Sequence, residues 1–551
     1  MICDDRTTAL KWARDEAMKD AGWCRISRLS GGPSHMRTRR VAVAVLVALG
    51  LVTAASAAPP KDAIVIGLVA EPVTMDPPQI TDLNSARVTK RIFEGLVGQE
   101  LGSYKLVPGL AQSWDISKDG LTYTFKLRGN VTFHDGTPFN AEAVKFVFER
   151  QLNDKGPYYA TGTYPYVKGF LGNVAGVEVL DASTVQIKLK APLTPFLQYL
   201  AHQSLFMFSP ESLKKWGKDV VKHPVGTGPF KLETWEPGVK VVLARNDAYW
   251  GGAPKIRQAI YVPIVEAQAR LVALKTGDID LTMDVPPDAL DDLRRDPNIV
   301  VAESNSSAVW YVTLNTRHPI LKDRRVRQAL NHAVNKDAII RDILRGTAIV
   351  SRGPMSPVYG AFYEENTARY PHDLEKARAL LKEAGYASGF DVTFLVPESG
   401  SGMQSPVEMA TVIQANLAQI GVRAKIQTME WGAYLRKYLE QPDMAEMSWN
   451  PSIGDPDHMM YMLLSSDRFP PAFNAGYYQN DRVDDLLRRG RTTIDEKARV
   501  PLYKEAQRLV VEDAPWIFVD HGKQVIVHRK RVQGFKLHPN FDLVLTPVSL
   551  Q

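Results

Sequence analysis

Asp455-Pro456-Asp457-His458 gathers two carboxylates and an imidazole on one short stretch of chain. Such groups could hold a metal ion, or serve as acid and base on a bound substrate. The competing reading is an Asp-Pro turn whose Asp457 caps a helix from His458 to Leu464, which leaves Asp455 open. Trp449 lies just upstream, and its amphipathic ring suits a pocket wall as well as a core. Phe133-His134-Asp135-Gly136 also pairs an imidazole with a carboxylate, but Asp135-Gly136 is a turn pair after a strand. His332 falls inside an amphipathic helix, where a satisfied or exposed histidine is the plainer reading. In Ser399-Gly400-Ser401-Gly402 the glycines are misplaced for a nucleophile elbow, so a polar loop is expected. Asn305-Ser306-Ser307 matches a glycosylation acceptor, a pattern too short to carry weight. No H-E-x-x-H, phosphate-binding G-x-x-x-x-G-K-[ST] or helix-opening G-x-G-x-x-G occurs. The expectation is a protein that binds without turnover, with no catalytic residue, no metal and no cofactor. A secreted hydrolase built on Asp455, Asp457 and His458 is the remote alternative.

Composition narrows the class. The chain has 551 residues, 45% hydrophobic and 23% charged, which is globular rather than disordered, collagenous or disulfide-rich. Met36-Arg37-Thr38-Arg39-Arg40 is a basic start, Val41 to Val52 is apolar, and Ala55-Ser56-Ala57 offers small residues for cleavage. That is the order of a secretory signal, and the apolar run is shorter than the about 20 residues a membrane span needs. Met36 is the expected start, residues 1–35 read as an upstream start choice, and cleavage is expected after Ala57. Arg39-Arg40 lacks a surrounding twin-arginine consensus, so general secretion to the periplasm is expected. Cys3 and Cys24 are the two cysteines, and both precede the cleavage position. The exported chain of 494 residues then has no thiol, which excludes cysteine catalysis, cysteine-zinc sites and iron–sulfur clusters. It is nearly neutral and carries no basic stripe, so no nucleic-acid partner is expected.

The elements that must position any site follow from periodicity. Ile64 to Ala70 reads as a strand closed by Pro72, and Leu121 to Arg128 as the second arm of a hairpin after Asp119-Gly120. Asn140 caps a helix to Arg150, Val177 to Leu189 is a hairpin, and Lys231 to Arg245 is two strands joined at Pro237-Gly238. The middle changes to an α/β rhythm. Helices are expected over 266–276, 323–340, 374–384 and 407–420, with strands over 392–396 and 422–428. Strands return at 516–519, 524–528 and 532–537. A β-rich, α/β, β-rich succession implies that the chain end rejoins its beginning. The expected division is a first lobe from 58–265 and 518–551, and a second lobe from 266–517. Two lobes and a hinge make a cleft.

Several blocks in order resemble the family 5 solute-binding proteins of bacterial ABC importers, the peptide, nickel and glutathione type. Glu71-Pro72-Val73-Thr74-Met75-Asp76-Pro77 and Ile92-Phe93-Glu94-Gly95-Leu96-Val97 come first. Pro108 to Trp114, Asp119 to Arg128 and Phe133 to Phe139 follow, then Gly226-Thr227-Gly228-Pro229-Phe230. Asn315, Pro319, Asp323 and Val326 to Leu330, then Tyr478 to Leu487 and Asp513-Ala514-Pro515, complete a resemblance over about 62–540. It implies an α/β, two-lobed periplasmic-binding-protein fold (type II, large cluster) with a discontinuous first lobe that carries an extra subdomain. It also implies a monomer that closes on a peptide-like ligand and delivers it to ABC permease membrane subunits. In peptide binders of this family a strand near the first exit pairs with the ligand backbone, here Val69-Ala70-Glu71. A Trp followed three residues later by an ammonium-binding Asp faces it. Here the Trp is Trp449, but the third residue on is Ser452, which offers a neutral hydrogen bond only. Asp455 is the expected substitute. Trp449, Ser452, Gly454 and Asp455 together look like the glutathione-importer branch, whose ligand carries its amine on a γ-glutamyl group. Phe473-Asn474 and Tyr477-Tyr478 resemble a segment lining the same cleft, with Asn474 and Tyr478 as further contacts. Glutathione or short peptides are the favoured ligands, and a nickel chelate or an opine-like solute is the alternative.

Overall fold

The structure, a computed structural model, describes residues 60–400 and 402–551. The expected signal segment and both cysteines lie outside the described residues. Strand β1 (Ala63–Leu68) is an Ala-Ile-Val-Ile-Gly-Leu run buried along its whole length, the pattern of a strand covered on both faces. The short arms β2 (Val97–Gln99) and β3 (Leu106–Pro108) pair antiparallel. Strands β4 (Ala111–Ile116), β5 (Thr122–Leu127), β6 (Val174–Asp181) and β7 (Thr184–Leu189) make a separate antiparallel sheet in the order β4-β5-β7-β6. The β4–β5 connection turns where expected. Gly120 has φ of +69° and the Asp119 carboxylate accepts the Leu121 N–H at 3.0 Å. The helix Ala141–Leu152 packs on β6, and its Asn140 cap accepts the Ala143 N–H at 3.0 Å.

The main sheet takes in β1 and every strand from β8 to β18. These are β8 (Phe230–Glu236), β9 (Lys240–Arg245), β10 (Gln258–Pro263), β11 (Leu281–Met283), β12 (Ile299–Asn305) and β13 (Val309–Leu314). After them come β14 (Ala348–Val350), β15 (Phe390–Pro397), β16 (Val422–Met429), β17 (Met444–Trp449) and β18 (Trp516–Arg529). Its main path is β16-β15-β17-β13-β18-β11-β1-β10-β9-β8, with β12 and β14 also on β18. The last pair, β19 (Val532–Gln533) and β20 (Ser549–Leu550), is short and separate.

One strand holds the two halves of this sheet together. The first part of β18 pairs with β13, Trp516 to Thr313 and Asp520 to Trp310. Its last part pairs with β11, His528 to Leu281 and Ile526 to Met283. Strands β12 and β13 follow each other along β18, separated at Ser306-Ser307-Ala308. Two antiparallel runs therefore cross from one half to the other, and a register shift at Trp310/Tyr311 marks the crossing. The sequence pattern suggested two strands here, because Asp520-His521-Gly522-Lys523 interrupts the apolar run. The backbone continues because β14 hydrogen-bonds this stretch and β12 takes over from Lys523. Residues 281–305, placed in the second lobe by the sequence pattern, pair into the β1 half through β11 and β12. The helix Ala267–Thr276 supplies Leu271 and Leu274 to the same core as Val65, Val525 and Val527. A different core lies under the helices Arg324–Ala333 and Pro406–Ala418, against β15 and β16. No helix among the described residues is long and apolar enough to cross a membrane.

Candidate ligand-binding cleft

Strand β17 ends at a cavity, and its alternation decides what it presents there. Residues of one strand face repeat every two positions, which puts Met447 and Trp449 together in the wall of a cavity of about 200 Å³. Tyr311, Trp431, Tyr438 and Phe473 line the same side. Asp82, Tyr166 and Gln203 close it from the part of the chain before β8. The Trp449 ring meets Phe473 edge-on at 5.0 Å and His458 at 5.6 Å between centroids. Its indole Nε1 is buried without a protein partner, and buried donors in folded proteins are nearly always paired. Trp431 also lines a trough of about 1190 Å³, whose other walls include Ala70, Glu71, Trp216 and Trp235. Val69 lines a further crevice of about 710 Å³, opposite Arg345 and Glu398.

Among the residues expected at the site, Trp449 and Ser452 line the cavity and the others lie elsewhere. Strand β1 stops at Leu68, so Val69-Ala70-Glu71 follows it as a bend, and Glu71 accepts the Gly238 N–H at 3.0 Å. The Ser452 carbonyl is held by Gln99 Nε2 at 3.1 Å and Asn540 Nδ2 at 3.2 Å. Asp455 does not reach the cavity. Both of its oxygens accept from Arg499, Oδ2 from Nη1 and Oδ1 from Nη2, each at 2.9 Å. Oδ1 also accepts the Asp457 N–H at 3.0 Å, so Asp455 and not Asp457 fixes the entry to the helix Asp457–Leu464. Asp457 points into the protein, where Tyr199 donates to it and Arg491 Nε lies 3.1 Å away. Asn474 is spent on its own loop. It donates to the carbonyls of Ser465 at 3.0 Å and Tyr478 at 2.8 Å, and accepts the Tyr478 N–H at 3.1 Å. Tyr478 is buried and donates to Asp513 at 2.8 Å. Asp135 is a turn residue, as expected, accepting the Thr137 N–H at 3.0 Å.

Sequence reasoning missed Asp82, Tyr166, Trp431 and Tyr438. Asp82 reads as a plain helix cap, and it is one, its Oδ1 accepting the Ser85 N–H at 2.9 Å. Nothing in the spacing of the tyrosines sets them apart from core aromatics. His458 enters as a cavity wall, with neither ring nitrogen partnered. Burial pushes its pKa down to about 3, so the imidazole is neutral. His202 lies 5.2 Å from it between ring centroids, and burial lowers its pKa too. Burial raises the pKa of Asp82. Among the described residues no group of three His, Cys, Asp or Glu is placed to hold a metal ion.

The comparisons with known proteins agree with this architecture. The family model "Bacterial extracellular solute-binding proteins, family 5 Middle" matches residues 105–470. The glutathione-binding protein GsiB of Shigella flexneri serotype 5b is 33% identical over 516 residues, covering 92% of this chain and 98% of that protein. The periplasmic binding protein DppA of Helicobacter pylori, solved with the peptide STSA, is 34% identical with a TM-score of 0.83, over 89% of this chain and 98% of its own. NikZ of Campylobacter jejuni, solved with Ni(L-His), is 27% identical with a TM-score of 0.78, over 89% of this chain and all of its own. The first two are named as binding proteins, and the neighbours in structure are two-lobed. The chain belongs to the bacterial extracellular solute-binding proteins of family 5.

Proposed function

We propose that this protein captures a peptide-like solute, glutathione or a short peptide, in the cleft between its two sheet halves and delivers it to an ABC permease from the periplasm. The observation that carries the reading is the aromatic cavity under Trp449, which shares Trp431 with the wall of the larger trough. A small, mostly apolar hollow with a few inward polar groups is the usual form of a small-molecule site. The full-length likeness to glutathione-binding proteins supports the choice of ligand. Trp449 and Ser452 contact the ligand in this reading, while Ala70 and Glu71 border the trough through which it enters. Closure bends the β12–β13 and β18 crossings. The lobes then divide between Asn305 and Val309, and again near Asp520.

Melting-temperature shifts with glutathione, di- to tetrapeptides and Ni(II)–histidine test the assignment, because a ligand that binds only the folded state stabilises it. Glutathione or peptides are expected to raise the melting temperature and to change tryptophan fluorescence. A response to Ni(II)–histidine alone would overturn the peptide-like assignment. Recovery of unaltered ligand after incubation is expected, and cleavage would revive the hydrolase.

A further inference from the structure

We infer that Asp82 is the anionic partner of the ligand's ammonium group, placed across the cavity from Trp449. This rests on the peptide-like reading above and adds where its amine is held. The stretch after Trp449 has no carboxylate to spare: position 452 is serine, Asp455 is saturated by Arg499, and Asp457 is committed to Tyr199 and Arg491. Asp82 differs from them. It lines the cavity, is 8% exposed, and makes no ion pair with any described residue. Its neighbour Arg87 pairs with Asp284 at 3.2 Å and reaches Asp82 only through its field. One oxygen caps the Ser85 N–H, and the other partners of the carboxyl are the neutral Ser85 hydroxyl and Asn84 N–H, so no cation pairs with it. Tyr166, Tyr311, Tyr438 and Trp449 line the same cavity, and aromatic rings attract cations where a face is offered. A buried carboxylate lacking its counter-charge is costly, and an incoming ammonium removes that cost. Desolvation raises the Asp82 pKa, and its hydrogen bonds and the Arg87 charge offset this only in part.

The test is titration calorimetry of the exported protein with glutathione, trialanine and their N-acetylated forms, the last measured by competition where weak. Asp82→Asn keeps the cap acceptor and removes the charge, since Asn caps helices as well as Asp. It is expected to weaken binding of a free-amine ligand at least tenfold, to leave the N-acetylated form unchanged, and to leave the ligand-free melting temperature in place. Asp82→Ser retains a cap by another route and is expected to behave alike. Equal losses for free and acetylated ligands would make Asp82 structural and overturn the inference. So would free-amine binding within twofold of wild type in both variants, with the ligand assignment intact. Failure of the wild type to bind either free-amine probe would overturn the ligand assignment and the inference with it.

Discussion

Two sets of buried carboxylates stand in opposite condition. Asp76 and Asp455 are locked in bidentate pairs, with Arg150 at 2.7 and 2.6 Å and with Arg499 at 2.9 Å twice, and Asp457 sits against Arg491 and Tyr199. Asp82 and Asp520 have no ion pair among the described residues, and each borders a hollow, Asp82 the cavity under Trp449 and Asp520 a crevice beside Trp310. Charged groups withdrawn from water must be paired or neutralised. Pairs closed within the chain belong to its architecture, while carboxyls left open to a crevice are where a ligand or a movement can act. The contrast is sharp because Asp455 and Asp82 are about equally buried, yet Asp455 is held by an arginine and Asp82 lines the cavity without one.

The contrast can be broken at its paired end. Arg499→Ala should leave Asp455 buried and alone, and destabilise the protein by about 3–5 kcal/mol in denaturant unfolding. A loss under 1 kcal/mol, about the size of a surface pair, would mean that Asp455 is not architectural. Asn474→Ala should cost about 1–3 kcal/mol by stripping two loop carbonyls of their donor. Ligand affinity should stay within twofold, and a larger loss would return Asn474 to the site.

The unpaired end gives smaller effects. Burial pushes the Asp520 pKa up to about 8, above the roughly 3.9 of an unfolded aspartate. A raised carboxyl pKa keeps the folded group protonated, so its stability is present below about pH 4 and lost as pH rises toward 8. Asp520→Asn mimics the protonated form. The wild type should therefore lose stability relative to the variant as pH rises from 4 toward 8. Parallel melting curves across that range would show that the carboxyl ionises freely in the fold. Asp82→Asn should change ligand-free stability by less than about 0.5 kcal/mol, the cap being conserved, and a greater drop in melting temperature would mark Asp82 as part of the paired, architectural set.

Much of the fold was legible because local chemistry and tertiary context agree. The Asn140 cap, the Asp119-Gly120 turn and the strand–helix–strand passage of β15, Pro406–Ala418 and β16 stand where periodicity put them. The glycines of Gly226-Thr227-Gly228 are required by close approach, since a side chain at either would strike the Ile92 carbonyl. β18 was misread as two strands because sequence shows side chains, whereas a strand is defined by what its backbone pairs with. The site was less legible. Asp455, Asn474 and Tyr478 matched a pattern, but their hydrogen-bond partners are distant in sequence or come from their own loop.

The sequence by itself determined the family resemblance and the α/β rhythm, because these depend on residue type and spacing along one stretch of chain. Tertiary structure alone decided which carboxylates are paired. Arg499 finds Asp455 and Arg150 finds Asp76 through packing of remote segments, and no arginine among the described residues pairs with Asp82. Whether a buried charge is satisfied depends on neighbours in space, and one-dimensional spacing does not carry that information.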